Sequence, residues 1–84
     1  MNISGVVVHA KPEGLAQVRA QLTELDGVEV HAVEQNGKMV VTIEKESDQD
    51  IADTFEILSK LDGVLSASMI YHHFEAETNL EEEA

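Results

Sequence analysis

Histidines and two strand serines are the residues of this sequence whose side chains could do chemistry. The histidines are His9, His31, His72 and His73, and the serines are Ser66 and Ser68. On a strand, His72 and His73 point to opposite faces and cannot chelate one ion, and no His–carboxylate spacing resembles a known metal site. Neither serine has an obvious general base to activate it. The pattern therefore predicts no enzyme, no metal site and no cofactor.

The composition restricts the kind of partner that the chain can bind. Its 84 residues are enough for one small domain, and 17 acidic against 5 basic side chains give a formal charge of −12. Nucleic acid and anionic membrane surfaces require clustered Lys and Arg, so a basic or neutral partner is favoured. The absence of cysteine excludes disulfides and thiolate sites and suits the cytoplasm. No stretch resembles a signal peptide or a membrane span.

The elements that must position any functional residues are indicated by a repeat. The four residues LDGV occur at 25–28 and again at 61–64, and each copy ends a helical pattern and begins a strand pattern. Apolar stripes predict one helix after Pro12 and a second after Ser47 or Asp48. Strand patterns cover residues 3–10, 28–34, 38–46 and 64–73, with an Asn36-Gly37 hairpin signal between the second and third.

The order of elements predicts a ferredoxin-like βαββαβ fold of the α+β class, with two helices on one face of a four-stranded antiparallel sheet. Right-handed crossovers place the first and third strands in the centre of the sheet. We expect this domain to occupy residues 1–74. Residues 75–84, with five glutamates, are expected to form an acidic, disordered tail.

Strand alternation predicts which residues lie on the sheet face that no helix covers. The helix side is expected to take Val6, Val8, Ala10, Val28, Val30, Ala32, Met39, Val41, Ile43, Val64, Ser66, Ser68 and Ile70. The uncovered face is expected to take Val7, His9, Val40, Thr42, Leu65, Ala67, Met69 and Tyr71, with Glu29, His31 and Glu44 towards the second strand. An exposed apolar strip of this kind indicates a partner. The partner is either a second copy, in a homodimer that buries the two sheets face to face, or a peptide.

Three segments together carry a resemblance to one family. They are ISGVVVHAK at residues 3–11, LDGVEV at 25–30 and GVLSASMIYH at 63–72. They resemble the NapD family, the small cytoplasmic chaperones of the periplasmic nitrate reductase. The resemblance extends over residues 3–73, and its most specific part is the last strand, which ends in Met-Ile-Tyr-His.

The resemblance implies binding to the twin-arginine signal peptide of the catalytic subunit NapA, which delays export until the molybdenum cofactor has been inserted. Such a leader is basic at its start and apolar afterwards, which suits an acidic domain with an apolar strip. The signal-peptide-binding residues are expected to be Val7, His9, Val40, Leu65, Ala67, Met69 and Tyr71. Glu44, with Glu75 and Glu77, is expected to attract the arginines.

Two other classes of protein share this order of elements. Small-molecule-sensing modules of the ACT or Lrp type are the main alternative, but they are usually fused to a DNA-binding or enzymatic domain. Metallochaperones of the same fold carry a Cys-x-x-Cys motif, which this sequence lacks. Because the architecture has many functions, the fold alone does not decide among them.

Overall fold

The computed structural model describes residues 1–74, with side chains as far as Tyr71, and it has the predicted order of elements. The strands are β1 (Asn2–Ala10), β2 (Val28–Val33), β3 (Lys38–Lys45) and β4 (Val64–Phe74), and the helices are α1 (Leu15–Thr23) and α2 (Asp48–Ser59). All pairings are antiparallel, and the strand order is β2-β3-β1-β4. The ferredoxin-like prediction is confirmed, including the central position of the first and third strands. The predicted tail at 75–84, with Glu75 and Glu77, lies outside the described residues.

One aliphatic core joins both helices to the same side of the sheet. Its buried residues are Val6, Val8 and Ala10 from β1, Met39, Val41 and Ile43 from β3, Val18 and Leu22 from α1, and Ile51 and Leu58 from α2. The core side predicted for β1 and β3 is therefore confirmed. Both helices bury their apolar stripes on this side, and no other described element packs on the opposite side of the sheet.

The repeated LDGV segments form the same turn twice. The Val28 N–H donates to the Leu25 carbonyl at 3.2 Å, and the Val64 N–H donates to the Leu61 carbonyl at 3.1 Å. The glycines have φ values of +83° at Gly27 and +97° at Gly63, a region that side-chain-bearing residues rarely adopt. Each turn reverses the chain from a helix into an edge strand, so the repeat builds both outer strands of the sheet.

The first residues of α2 explain why that helix begins where the sequence predicted. The Ser47 hydroxyl accepts a hydrogen bond from the Asp50 N–H at 3.1 Å, as an N-cap does. Asp48 and Asp50 lie in the first turn, where a carboxylate is favoured by the helix dipole. Asp48 also accepts a hydrogen bond from the buried side-chain amide of Asn2, which ties the start of α2 to β1.

Two irregularities in β4 correct the face predicted for several residues. The register with β1 shifts between His9 and Ala10 and again between Val6 and Gly5, so that Leu65 and Ile70 have no direct partner on β1. Directly opposed residues share a face. The resulting pairs are Ala67 with Val8, Met69 with Val6, Ser66 with His9, and Ser68 with Val7. The predictions for Ala67, Met69, Ser66 and Ser68 were wrong, because each irregularity inverts the alternation.

A similar irregularity in β2 corrects one more residue. The register with β3 shifts between Val30 and Ala32, so Ala32 pairs with Val40 instead of continuing on the core side. Val33 then pairs with the buried Met39. Ala32 therefore lies on the uncovered face, contrary to prediction, while Val28 and Val30 lie on the core side as predicted.

Candidate functional site

The side of the sheet opposite the two helices is left uncovered by them, and we call it the open face. Ile3, Gly5, Val7 and His9 of β1 occupy its middle, next to Lys38, Val40, Thr42 and Glu44 of β3. Glu29, His31 and Ala32 lie on the β2 edge, and Ser66, Ser68 and Tyr71 lie on the β4 edge. The backbone register thus brings residues from four separate segments onto one surface.

The middle of the open face is apolar. Val7 lies between Val40 and Ser68, and Val40 lies between Val7 and Ala32. Ile3, Val7 and Val40 are each only partly covered, so their side chains present methyl groups to solvent. Contact with a partner would remove this surface from water, which is the main source of favourable free energy in association.

Tyr71 covers the one open-face position without a side chain. Gly5 is paired with Tyr71, and the tyrosine ring lies directly over it. A Cβ at Gly5 would lie 2.7 Å from Cδ2 and 2.9 Å from Cζ of the ring, and closer still to Cε2. Glycine is therefore required here for the close approach of the ring, which remains 49% exposed. The arrangement places an aromatic surface beside the apolar residues of β1.

The β2 edge of the open face is polar, and its side chains make contacts with one another. Nε2 of His31 lies 2.8 Å from Oγ1 of Thr42 and 3.6 Å from Oε1 of Glu29. Glu29, Thr42 and Gly5 follow one another across three strands, so the same row that begins with a carboxylate ends at the Tyr71 ring. The two edges of the face therefore differ in character, one charged and hydrogen-bonded and the other aromatic.

Several acidic residues lie near the end of β3, and Glu44 is the one that the strand register assigns to the open face. Glu44 lies opposite Ile3 and makes no side-chain hydrogen bond or ion pair with another residue of the described chain. A shallow cavity of about 340 Å³ lies next to it, lined by Met1, Asp26, Gly27, Glu44, Lys45, Glu46 and Asp50. Lys45 belongs to that lining, and its Nζ is 3.6 Å from the Asp26 carboxylate. Four acidic residues of this lining outnumber its basic groups, which favours a cation there.

Five of the eight residues predicted to bind the signal peptide lie on the open face, and the other three do not. Val7, His9, Val40, Glu44 and Tyr71 share the open face, as expected. Ala67 instead contacts the core, and Met69 lies on the helix side at the sheet edge with 40% exposure. Leu65 is the unpaired residue of an irregularity and is 61% exposed. Ile3 and Gly5 complete the face, and the contact with Tyr71 shows the role of Gly5.

The described residues also bear on metal and membrane binding. Among the side chains of residues 1–71, no group of three or more His, Cys, Asp or Glu is placed to hold a metal ion. None of the helices in this part of the chain is long and apolar enough to cross a membrane.

The fold and this surface define a class, a small ferredoxin-like domain whose sheet is covered by helices on one side and open on the other. Comparison with known proteins identifies the family within that class. The model of the NapD family, described as "NapD protein", matches residues 1–76, and the chain belongs to that family.

Individual relatives agree with the family match. The chain is 30% identical over 76 residues to the chaperone NapD of Escherichia coli K12, which covers 89% of this chain and 87% of that protein. It is 34% identical over 71 residues to the chaperone NapD of Paracoccus pantotrophus, covering 84% and 62%. The solution structure of the E. coli Tat proofreading chaperone NapD superposes with a TM-score of 0.79 at 30% identity, covering 90% of this chain and 80% of that one.

Proposed function

We propose that this protein is a cytoplasmic chaperone that binds the twin-arginine signal peptide of the nitrate reductase catalytic subunit NapA. By occupying the leader, it delays export until the cofactor has been inserted and the enzyme has matured. Membership of the NapD family and the likeness to a Tat proofreading chaperone support the proposal. The protein acts by binding and masking a segment of another chain, and this role needs no bond-making chemistry.

The observation that carries the proposal is the position of the Glu44 carboxylate beside the apolar centre of the open face. A twin-arginine leader has a basic start followed by an apolar stretch. Val7, Val40 and Ile3 offer partly covered aliphatic surface for the apolar stretch, which can bind as a helix laid on the sheet. Glu44 offers a carboxylate for the basic start, with no side-chain hydrogen bond or ion pair to residues 1–71.

The net negative charge of the domain also favours a basic partner, through long-range electrostatic attraction. All 5 basic residues and 12 of the 17 acidic residues fall within residues 1–74, which leaves a net charge of −7. Such a domain attracts a basic leader and repels nucleic acid. A leader that orders itself on binding loses conformational entropy, so we expect a dissociation constant between about 1 nM and 10 μM.

The direct test is titration of the protein with a synthetic NapA leader by calorimetry, together with a map of amide chemical shifts. We expect saturable binding, with the largest shifts at residues of the open face such as Val7, Val40 and Thr42. The amides of α1 and α2 should change little, because the helices lie on the other side of the sheet. An absence of binding at high micromolar leader, or shifts confined to the helices, would contradict the proposal.

A pair of matched variants separates the open face from the rest of the surface. Val7→Glu places a carboxylate in the apolar centre, where a bound leader would desolvate it, so affinity should fall by at least about tenfold. Ile57→Glu makes the same type of change on α2, at a side chain that is 52% exposed. Ile57→Glu should bind the leader like the wild type, and equal losses in both variants would argue against the open face as the site.

A further inference from the structure

Tyr71 and Gly5 together make a feature of the open face that apolar contact alone does not explain. The ring lies so close over Gly5 that even a methyl group is excluded there, yet Tyr71 as a residue remains 49% exposed. Part of the aromatic surface is therefore accessible to a partner. Rings so placed bind cations through the negative charge of their faces.

A carboxylate lies within reach of the same ring. Glu44 is opposite Ile3, and Gly5 is two residues further along β1, so Glu44 and Gly5 are diagonal neighbours on one face. Diagonal neighbours on paired strands have Cβ positions about 7 to 8 Å apart, a gap that a glutamate side chain and a planar cation can fill together. Glu44 makes no side-chain hydrogen bond or ion pair with residues 1–71, whereas Glu29 lies near His31.

We propose that the Tyr71 ring, laid over Gly5, is the stacking platform for a guanidinium group of the bound leader, with Glu44 accepting its N–H groups. This inference rests on the proposed function and specifies how the leader's arginines are recognised. Arginine suits the site better than lysine, because its planar group can stack on a ring and at the same time present N–H donors along its edge. Tyr71 is then a specificity-determining residue rather than one more apolar contact.

The test compares two leaders on three proteins. One leader carries the arginine pair, and the other carries lysines in its place, which keeps the charge but removes the planar group. Wild type should bind the arginine leader about three- to fivefold more tightly than the lysine leader. Tyr71→Phe retains the ring face and should keep that ratio. Tyr71→Leu retains apolar area without a ring, and its ratio should fall to nearly one.

A further variant moves the ring without removing it. Gly5→Ala introduces a Cβ that cannot coexist with the present ring position, so the ratio between the two leaders should also collapse although Tyr71 is intact. Thermal unfolding establishes whether Gly5→Ala folds. If it does not, Tyr71→Leu and Tyr71→Phe still decide the question, because neither introduces a clash at Gly5.

The outcomes distinguish this inference from the function on which it rests. If the wild type binds neither leader, the proposed function fails. If the wild type binds both leaders equally, the function stands and the guanidinium platform is refuted. Equal losses for both leaders in Tyr71→Leu would show Tyr71 to be an apolar contact only, and would also refute the platform.

Discussion

Met69 of β4 pairs directly with Val6 of β1, and this pairing assigns Met69 to the helix side of the sheet. Val6 is completely buried beneath the helices, whereas Met69, on the outermost strand, is 40% exposed. The next residue, Ile70, has no partner on β1, and Tyr71 then pairs with Gly5 on the open face. One irregularity thus places Met69 and Tyr71, two residues apart in the sequence, on opposite sides of the sheet.

This position predicts that Met69→Glu folds and still binds the leader. The new carboxylate can reach water at the sheet edge, so the variant should lose roughly 1 kcal/mol of unfolding free energy. Leader affinity measured by calorimetry should stay within about twofold of the wild type, because the substitution adds one screened charge on the far side of the sheet. A tenfold loss of affinity in a folded Met69→Glu protein would place Met69 in the interface after all.

The two repeated turns predict different tolerances of the same substitution. A Cβ at Gly27 would lie 2.5 Å from the Glu44 carbonyl oxygen, whereas at Gly63 the nearest atom is a Val18 methyl carbon at 2.9 Å. Both glycines have positive φ, so alanine is strained at each by about 1 kcal/mol. At Gly27 the backbone of β3 must also move, since the Glu44 N–H donates to the Gly27 carbonyl at 2.8 Å.

Urea denaturation of the two alanine variants tests this difference. Gly63→Ala should lose about 1 kcal/mol, because a valine side chain can shift to make room. Gly27→Ala should lose roughly 2 to 3 kcal/mol, because two backbone segments must separate. Equal losses of unfolding free energy would mean that the positive φ alone determines the cost. The backbones at Gly27 and β3 could then separate without a further penalty.

The architecture of this protein could be predicted from local patterns because each element carries its own signal. The LDGV repeats mark both helix-to-strand turns, Ser47 marks the start of α2, and Asn36-Gly37 marks the hairpin. On β1 and β3, buried and more accessible residues alternate as predicted, except at Gly5, which is buried beneath the Tyr71 ring. These two strands are central, paired on both sides, and each is regular against the other.

The faces of the edge strands could not be predicted because they depend on pairing between strands. In β4, Val64 and Ala67 both contact the core although they are three residues apart, and Leu65 is the extra residue that makes this possible. The segment LSAS is equally compatible with regular alternation, so its residue types do not indicate the irregularity. In β2, the shift beside His31 moves Ala32 to the open face in the same way. An extra residue lets an edge strand follow the twist of its neighbour, and only the assembled sheet determines where it falls.

The cap of α2 predicts a specific loss of stability. Ser47→Ala removes the side-chain acceptor for the Asp50 N–H and should lower the unfolding free energy by about 1 kcal/mol. Ser59→Ala is the matched control at the other end of the same helix, where the hydroxyl donates to the Glu56 carbonyl 2.9 Å away. Because alanine is the better helix former, Ser59→Ala should be neutral or slightly stabilising. Thermal unfolding of both variants measures the difference. Equal destabilisation would show that the Ser47 side chain does not stabilise α2 as an N-cap.

The electrostatic part of leader recognition predicts a dependence on salt that is specific to one carboxylate. Glu44→Lys replaces an acid on the open face with a base, so the leader should bind about tenfold more weakly at low ionic strength. Glu24→Lys makes the same change of charge just after α1, on the helix side of the molecule. At about 0.15 M salt, charges separated by more than about 8 Å are largely screened, so Glu24→Lys should then bind like the wild type while Glu44→Lys remains impaired. Calorimetric titrations across a salt series make this comparison. Identical behaviour of the two variants at every salt concentration would show that net charge attracts the leader and that Glu44 has no local contact with it.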